Sequence, residues 1–268
     1  MKTAKTAGPA RAFGLDLAWS DTNRTGACAL DESGCIVDER WLGSDDDIVG
    51  WVESHLPTGA PSVIAVDAPL LVPNESGQRP CETRVSKAYG ARKASAHSSN
   101  RPLLIRLHKR VRGEDLAQRL ALSGFMSPFD HGDRVLLEVY PHPALIEIFG
   151  LKERLRYKAK RGFGIAQCRE GLRSLEAKLA ELAQEVPPLL GPPVEIDDSM
   201  RGTQLKDIED KLDARLCAWL ALLWHIECST AFELYGDASS GHIGVPRARN
   251  RHDEVATLGR SGAAADTA

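Results

Sequence analysis

The chain has no Cys-x-x-Cys pair, no long apolar run, no excess of one charge and few aromatics. Its six cysteines, Cys28, Cys35, Cys81, Cys168, Cys217 and Cys228, are scattered. That spacing excludes zinc ribbons and thioredoxin-like redox sites, and small buried thiols are the simplest reading. The longest apolar run, near 216–224, is too short to span a bilayer, and Met1 to Arg11 lacks the apolar core of a signal peptide. A cytoplasmic protein with reduced thiols and no membrane contact is expected. A net charge of −3 over 268 residues leaves no global signal for nucleic acid. Such binding would have to come from a local basic patch. There is also no internal repeat and no glycine-rich phosphate loop: Ser20 to Gly26 holds one glycine.

What is present is an ordered series of strand and helix signals. Residues 12–19 read as a buried strand, Thr25 to Leu30 as a second and Cys35 to Leu42 as a third, joined by polar turns. Together they predict an antiparallel three-strand meander. Ser44 caps a helix whose first turn carries Asp45, Asp46 and Asp47. Acids there complement the helix dipole, which accounts for them better than a metal cluster does. Pro61 to Ala68 is an unbroken apolar run of the central-strand kind. Residues 70–133 form a polar and helical insertion, with an amphipathic helix expected over Pro102 to Leu122. A strand over Arg134 to Val139 follows, then helices over Pro143 to Phe149, Ile165 to Glu185 and Gln204 to about Ser229, and a short strand at Gly241 to Val245. The reading is one α/β domain over 12–246, with flexible tails at 1–11 and 247–268.

Five acidic positions in four stretches stand out against this background. Asp16 lies between Leu15 and Leu17 in the first strand, Asp67 ends the fourth, and Glu138 lies between Leu137 and Val139. Asp210 and Asp213 are three apart and share one helix face. An ionised carboxylate in apolar surroundings is costly unless something pairs with it. Several converging carboxylates suit a hard divalent cation, Mg²⁺ or Mn²⁺. Two such ions about 3.5–4 Å apart can hold a phosphodiester, activate a water and stabilise the leaving oxygen.

The order of elements and these acids resemble the RNase H-like fold, which includes the RuvC-type junction resolvases. The residues that carry the resemblance are Gly14-Leu15-Asp16, Asp67, and Asp210-Lys211-Leu212-Asp213-Ala214-Arg215, where Arg stands in place of a final Leu. More closely, the chain is similar to a domain-of-unknown-function family expected to be RNase H-like nucleases. The matching pieces are Val66-Asp67-Ala68-Pro69-Leu70, Glu138-Val139-Tyr140-Pro141, Tyr157-Lys158, Leu212-Asp213-Ala214 and Gly241 to Pro246. The resemblance implies a mixed sheet flanked by helices and a nuclease site. Asp16 would bridge two metals, and Asp67 and Asp213 would each complete one coordination shell; Asp210 is either a ligand or a solvated helix residue, and Glu138 either an extra ligand, the favoured reading, or an anchor of the Tyr140-Pro141 turn.

The substrate side is expected to be basic. Ten Lys and Arg residues lie in 79–112 against Glu82 alone, among them Arg79, Arg84, Arg92 and Lys93; a second basic stretch over 152–161 includes Lys158. These were candidates for phosphate contact on DNA or RNA. Tyr89 is the sole aromatic of the first run, so a base-stacking platform there is unsupported. Two other readings compete with a nuclease. One is a non-cleaving RNase H-like module that binds nucleic acid or a partner. The other is an actin-like phosphotransferase, disfavoured by the missing repeat and phosphate loop.

Overall fold

A computed structural model of the protein describes residues 11–20, 22–158 and 163–248. The expected tails at 1–11 and 247–268 lie largely outside the described residues. Five strands form one sheet: β1 (Ala12–Asp16), β2 (Thr25–Leu30), β3 (Ile36–Leu42), β4 (Ser62–Val66) and β5 (Arg134–Glu138). Their order is β3-β2-β1-β4-β5. The first three strands pair antiparallel, whereas β4 runs parallel to β1 and β5 parallel to β4. This is the α/β mixed sheet expected from the sequence, in an RNase H-like arrangement.

Strand alternation divides the core into two layers. Phe13, Leu15, Ile64, Val66 and Leu136 face one side. There they meet Ile48, Trp51 and Val52 of α1 (Asp45–His55) and Leu116 and Leu120 of α4 (Arg112–Leu122). Ala12, Ala65, Leu137 and Val139 face the other side and pack with α5 (Pro141–Phe149), α6 (Ile165–Glu181) and α7 (Thr203–Glu227). Ser44 caps α1 as expected, in a capping box completed by Asp47. The first acid of α1 has a further task, because Asp45 accepts a 2.8 Å hydrogen bond from Arg112 Nε.

The last long helix lies directly on the sheet because two strands present glycine to it. A Cβ on Gly14 would stand 2.1 Å from the Ala214 carbonyl oxygen and 2.1 Å from the Ala218 nitrogen. One on Gly26 would stand 2.3 Å from the Asp210 carbonyl oxygen. Only a side chain of hydrogen leaves room for this approach. It sets the acidic segment of α7 against the ends of β1 and β2.

The insertion is helical, as expected, but it contains three helices: α2 (Pro80–Tyr89), α3 (Arg101–His108) and α4. The single helix expected over 102–122 breaks at Lys109, whose φ of 72° lies in the left-handed region and ends α3. The start of α4 abuts the turn after β4. A Cβ on Gly113 would lie 2.0 Å from the Pro69 carbonyl oxygen. Beyond α7, Phe232–Asp237 forms β6, which sequence reading missed, paired antiparallel with β7 (Gly241–Pro246).

Candidate metal centre

Parallel pairing places the first two acids side by side. Leu15 is registered with Val66, and the Asp67 amide donates to the Leu15 carbonyl at 2.9 Å. Asp16 and Asp67 therefore leave adjacent strands at their carboxyl ends, where ligands of open α/β sheets bind. Both fall on the α7 side, in phase with Gly14 and Ala65. Asp213 reaches the same point from α7. One carboxylate oxygen from each of Asp16, Asp67 and Asp213 lies within 4.8 Å of the others.

The trio is tightly held. Asp213 is fully buried, and its Oδ1 accepts a 2.8 Å hydrogen bond from the Tyr157 hydroxyl. Its Oδ2 makes no hydrogen bond but lies 2.8 Å from the Lys158 ammonium. The same ammonium is 3.8 Å from Asp67 Oδ2. Burial raises the Asp16 carboxyl well above its ordinary value; Lys158 offsets this in part, and Asp213 and Asp67 add to it. Burial likewise raises Asp67 to about 7, with Lys158 working against the shift. Burial opposes the charge on Lys158, but Asp213, Tyr157, Asp67 and Asp16 outweigh it, so the lysine stays protonated. Crowded acids that hold on to protons exchange them readily for a divalent cation. Three oxygen donors, one of them on a buried atom without a hydrogen bond, fit Mg²⁺ or Mn²⁺ in donor type.

The other two acids do different work. Asp210 lies at the rim with its carboxylate 2.7 Å from Lys206, one helical turn earlier. Lys206 also reaches Glu209 at 2.7 Å. Glu138, expected at the site, does not join the trio. Its neighbours Leu137 and Val139 pack on the α7 side, so strand alternation turns Glu138 to the opposite face. There Arg79 grips it through Nη2–Oε1 at 2.5 Å and Nη1–Oε2 at 2.9 Å, and the Leu70 amide donates to Oε2 at 2.9 Å.

The expected phosphate contacts also change. Arg79 is 1% exposed and bound to Glu138 and Glu82, so it offers no surface to a phosphate. Arg92 binds Glu147 at 2.7 Å and the Leu151 carbonyl oxygen, and Lys93 pairs with Glu153. Arg112 is buried, holding the carbonyl oxygens of Ala18, Ser20 and Gly43 and thereby the loop that follows Asp16. Arg84 remains exposed on α2. Lys158 is at the site, inside the carboxylate cluster rather than beside it. Most of the basic run thus neutralises acids of the protein itself, which charge counting along the chain could not reveal.

Asp16 and Asp67 open onto a cavity of about 520 Å³, lined also by Asp210, Glu209, Lys158, Lys206, Trp19, His97, Tyr140 and His142 among others, while Asp213 lies buried behind it. Sequence reading assigned no part to Tyr157, Lys206 or Trp19. The Lys206–Asp210 spacing of four was a legible signal for one of them. The Tyr157 hydroxyl bond and the exposure of Trp19, 42%, had no local signature.

Among the described residues no helix is long and apolar enough to cross a membrane. Comparison with curated proteins and with solved structures gives no significant match. A family model described as "Protein of unknown function (DUF429)" matches residues 14–235, a span running from β1 through the Asp67 turn and α7 into β6. The chain belongs to that family.

Proposed function

We propose that this chain is a divalent-metal-dependent nuclease that hydrolyses phosphodiester bonds of DNA or RNA. The observation that carries the reading is the convergence of Asp16, Asp67 and Asp213 at the carboxyl edge of an RNase H-like sheet, with Asp16 and Asp67 lining an open cavity. Pockets of about 300–1,000 Å³ are the usual size for a small organic ligand, and this one falls in that range. When bound, Mg²⁺ or Mn²⁺ polarises a phosphoryl oxygen and acidifies a water.

The chain's own residues divide the remaining work. Asp16, Asp67 and Asp213 would hold the ion. Tyr157 fixes the orientation of Asp213 through its 2.8 Å hydrogen bond. Lys158 and Lys206 bring positive charge to a cavity that otherwise presents acids, which allows an anionic phosphodiester to approach. Trp19, on the rim, offers a flat apolar face to a base or sugar.

Purified protein is incubated with labelled single-stranded, duplex, hybrid and branched substrates in Mg²⁺ or Mn²⁺, beside Asp16→Asn. The expected result is metal-dependent cleavage that the variant lacks. Cleavage no greater than the variant's background on every substrate refutes the reading. Binding without cleavage by both proteins would identify a non-cleaving module instead.

A further inference from the structure

Lys158 occupies ground that a two-ion site would need. Its ammonium lies 2.8 Å from Asp213 Oδ2 and 3.8 Å from Asp67 Oδ2, between two of the three converging acids. A second divalent ion about 3.5–4 Å from the first would have to share these oxygens. It would meet the ammonium's volume and its repulsion. On the α7 side, the carboxylates of Asp210 and Glu209 are each already 2.7 Å from Lys206. Neither is free to ligate an additional ion there. Lys158 is also well anchored: its partner Asp213 is fully buried and is fixed from its other oxygen by Tyr157.

We propose that the Asp16–Asp67–Asp213 site takes a single divalent ion, and that the Lys158 ammonium, held between Asp213 and Asp67, supplies the second positive charge. This deepens the nuclease reading and rests on its metal site; the two ions expected from sequence become one ion and one lysine. Lysine differs from a metal in this place. It is covalently resident, it carries one charge, and it donates hydrogen bonds to a phosphate oxygen without ligating it.

The test counts Mn²⁺ bound per full-length chain, by calorimetric titration and by the loss of the free Mn²⁺ paramagnetic signal. Wild type, Lys158→Met and Lys158→Arg are compared. The expected outcome is a single ion for wild type and Lys158→Arg, and a second ion for Lys158→Met, whose side chain fills similar space without charge. A wild type that saturates with two ions overturns the proposal while leaving the metal site intact. So does a Lys158→Met variant that folds, by circular dichroism, and still stops at a single ion. If Lys158→Met does not fold, the wild-type count against Lys158→Arg decides, two ions in either refuting the proposal. Absence of Mn²⁺ from every protein removes the metal site itself and the nuclease reading with it.

Discussion

Arg79 and Glu138 form a buried, two-pronged ion pair with Nη2–Oε1 at 2.5 Å and Nη1–Oε2 at 2.9 Å. The pair ties the base of the insertion to the end of β5, and Glu138 Oε2 also accepts the amide of Leu70, three residues after Asp67. Arg79 Nη1 reaches the Leu71 carbonyl oxygen at 3.0 Å. The ion pair thus braces the turn that follows one acid of the converging trio while standing on the other face of the sheet.

Breaking this pair from one side leaves a buried charge uncompensated. Glu138→Ala and Arg79→Ala should each cost about 3–5 kcal/mol in urea unfolding. The double change Arg79→Met with Glu138→Leu should lose less than either single change, because no charge is then stranded. Equal or additive losses would show that the pair does not act as a unit.

Two acids of the cavity, Asp67 after β4 and Asp210 on α7, should separate in metal binding. Asp210 is already paired with Lys206, whereas Asp67 belongs to the converging trio. Asp67→Asn should weaken Mn²⁺ binding by more than the roughly 10–100-fold usual for groups that only support a ligand, and Asp210→Asn by less than Asp67→Asn. Calorimetric titration measures both. An Asp210→Asn variant as impaired as Asp67→Asn would return Asp210 to the ligand set.

Gly14 should be intolerant of any side chain. The methyl of Gly14→Ala would meet the backbone of α7 at 2.1 Å, so the helix must retreat or the strand must bend. Overpacking of this kind costs about 1–3 kcal/mol or more. Because Asp213 rides on α7, Mn²⁺ affinity should fall along with the melting temperature. A variant with wild-type melting and wild-type affinity would mean that the contact between β1 and α7 does not set the site.

His242 should make the fold acid-sensitive. Burial, and then the neighbouring Arg79, lower its pKa to about 4 from the ordinary 6.5, and its Nε2 accepts the Glu138 amide at 3.2 Å, which requires the neutral ring. Below pH 6.5 the unfolded chain takes up a proton that the folded one refuses. The stability this histidine allows is therefore full above about pH 6.5 and lost as pH falls towards 4, by about 3 kcal/mol in all. The raised carboxyl of Asp67 works in the opposite sense over the same range. The quantity to measure is hence the difference in unfolding free energy between wild type and His242→Asn at pH 7.5 and pH 5. The wild type should lose ground against the variant on acidification. A difference that does not change with pH would refute the assignment.

Much of the architecture is legible along the chain because it depends on local signals. The meander of β1 to β3, the cap at Ser44 and the long α7 follow from apolar period, turn residues and caps. Asp16 and Asp67 were legible for the same reason, as acids at the ends of buried runs. The split of α3 from α4 was not, since a lysine with positive φ has no sequence signature of its own. Nor was β6, whose alternation is weak.

The sequence by itself determined which residues are acidic, which runs are buried and in what order strands and helices occur. It therefore determined that Asp16, Asp67 and Asp213 were available to meet. Only the tertiary structure decided which charges meet which. Strand alternation sent Glu138 to the face opposite Asp67, although both end parallel neighbouring strands. Packing through Gly14 brought Asp213 to Asp16, and the fold turned a run of cations into counter-ions for the protein's own acids. The physical reason is the range of the forces involved. Periodicity and capping act over a few residues, whereas the partner of a buried charge is chosen by whatever the fold brings within about 3–4 Å of it, as Lys158 is brought to Asp213.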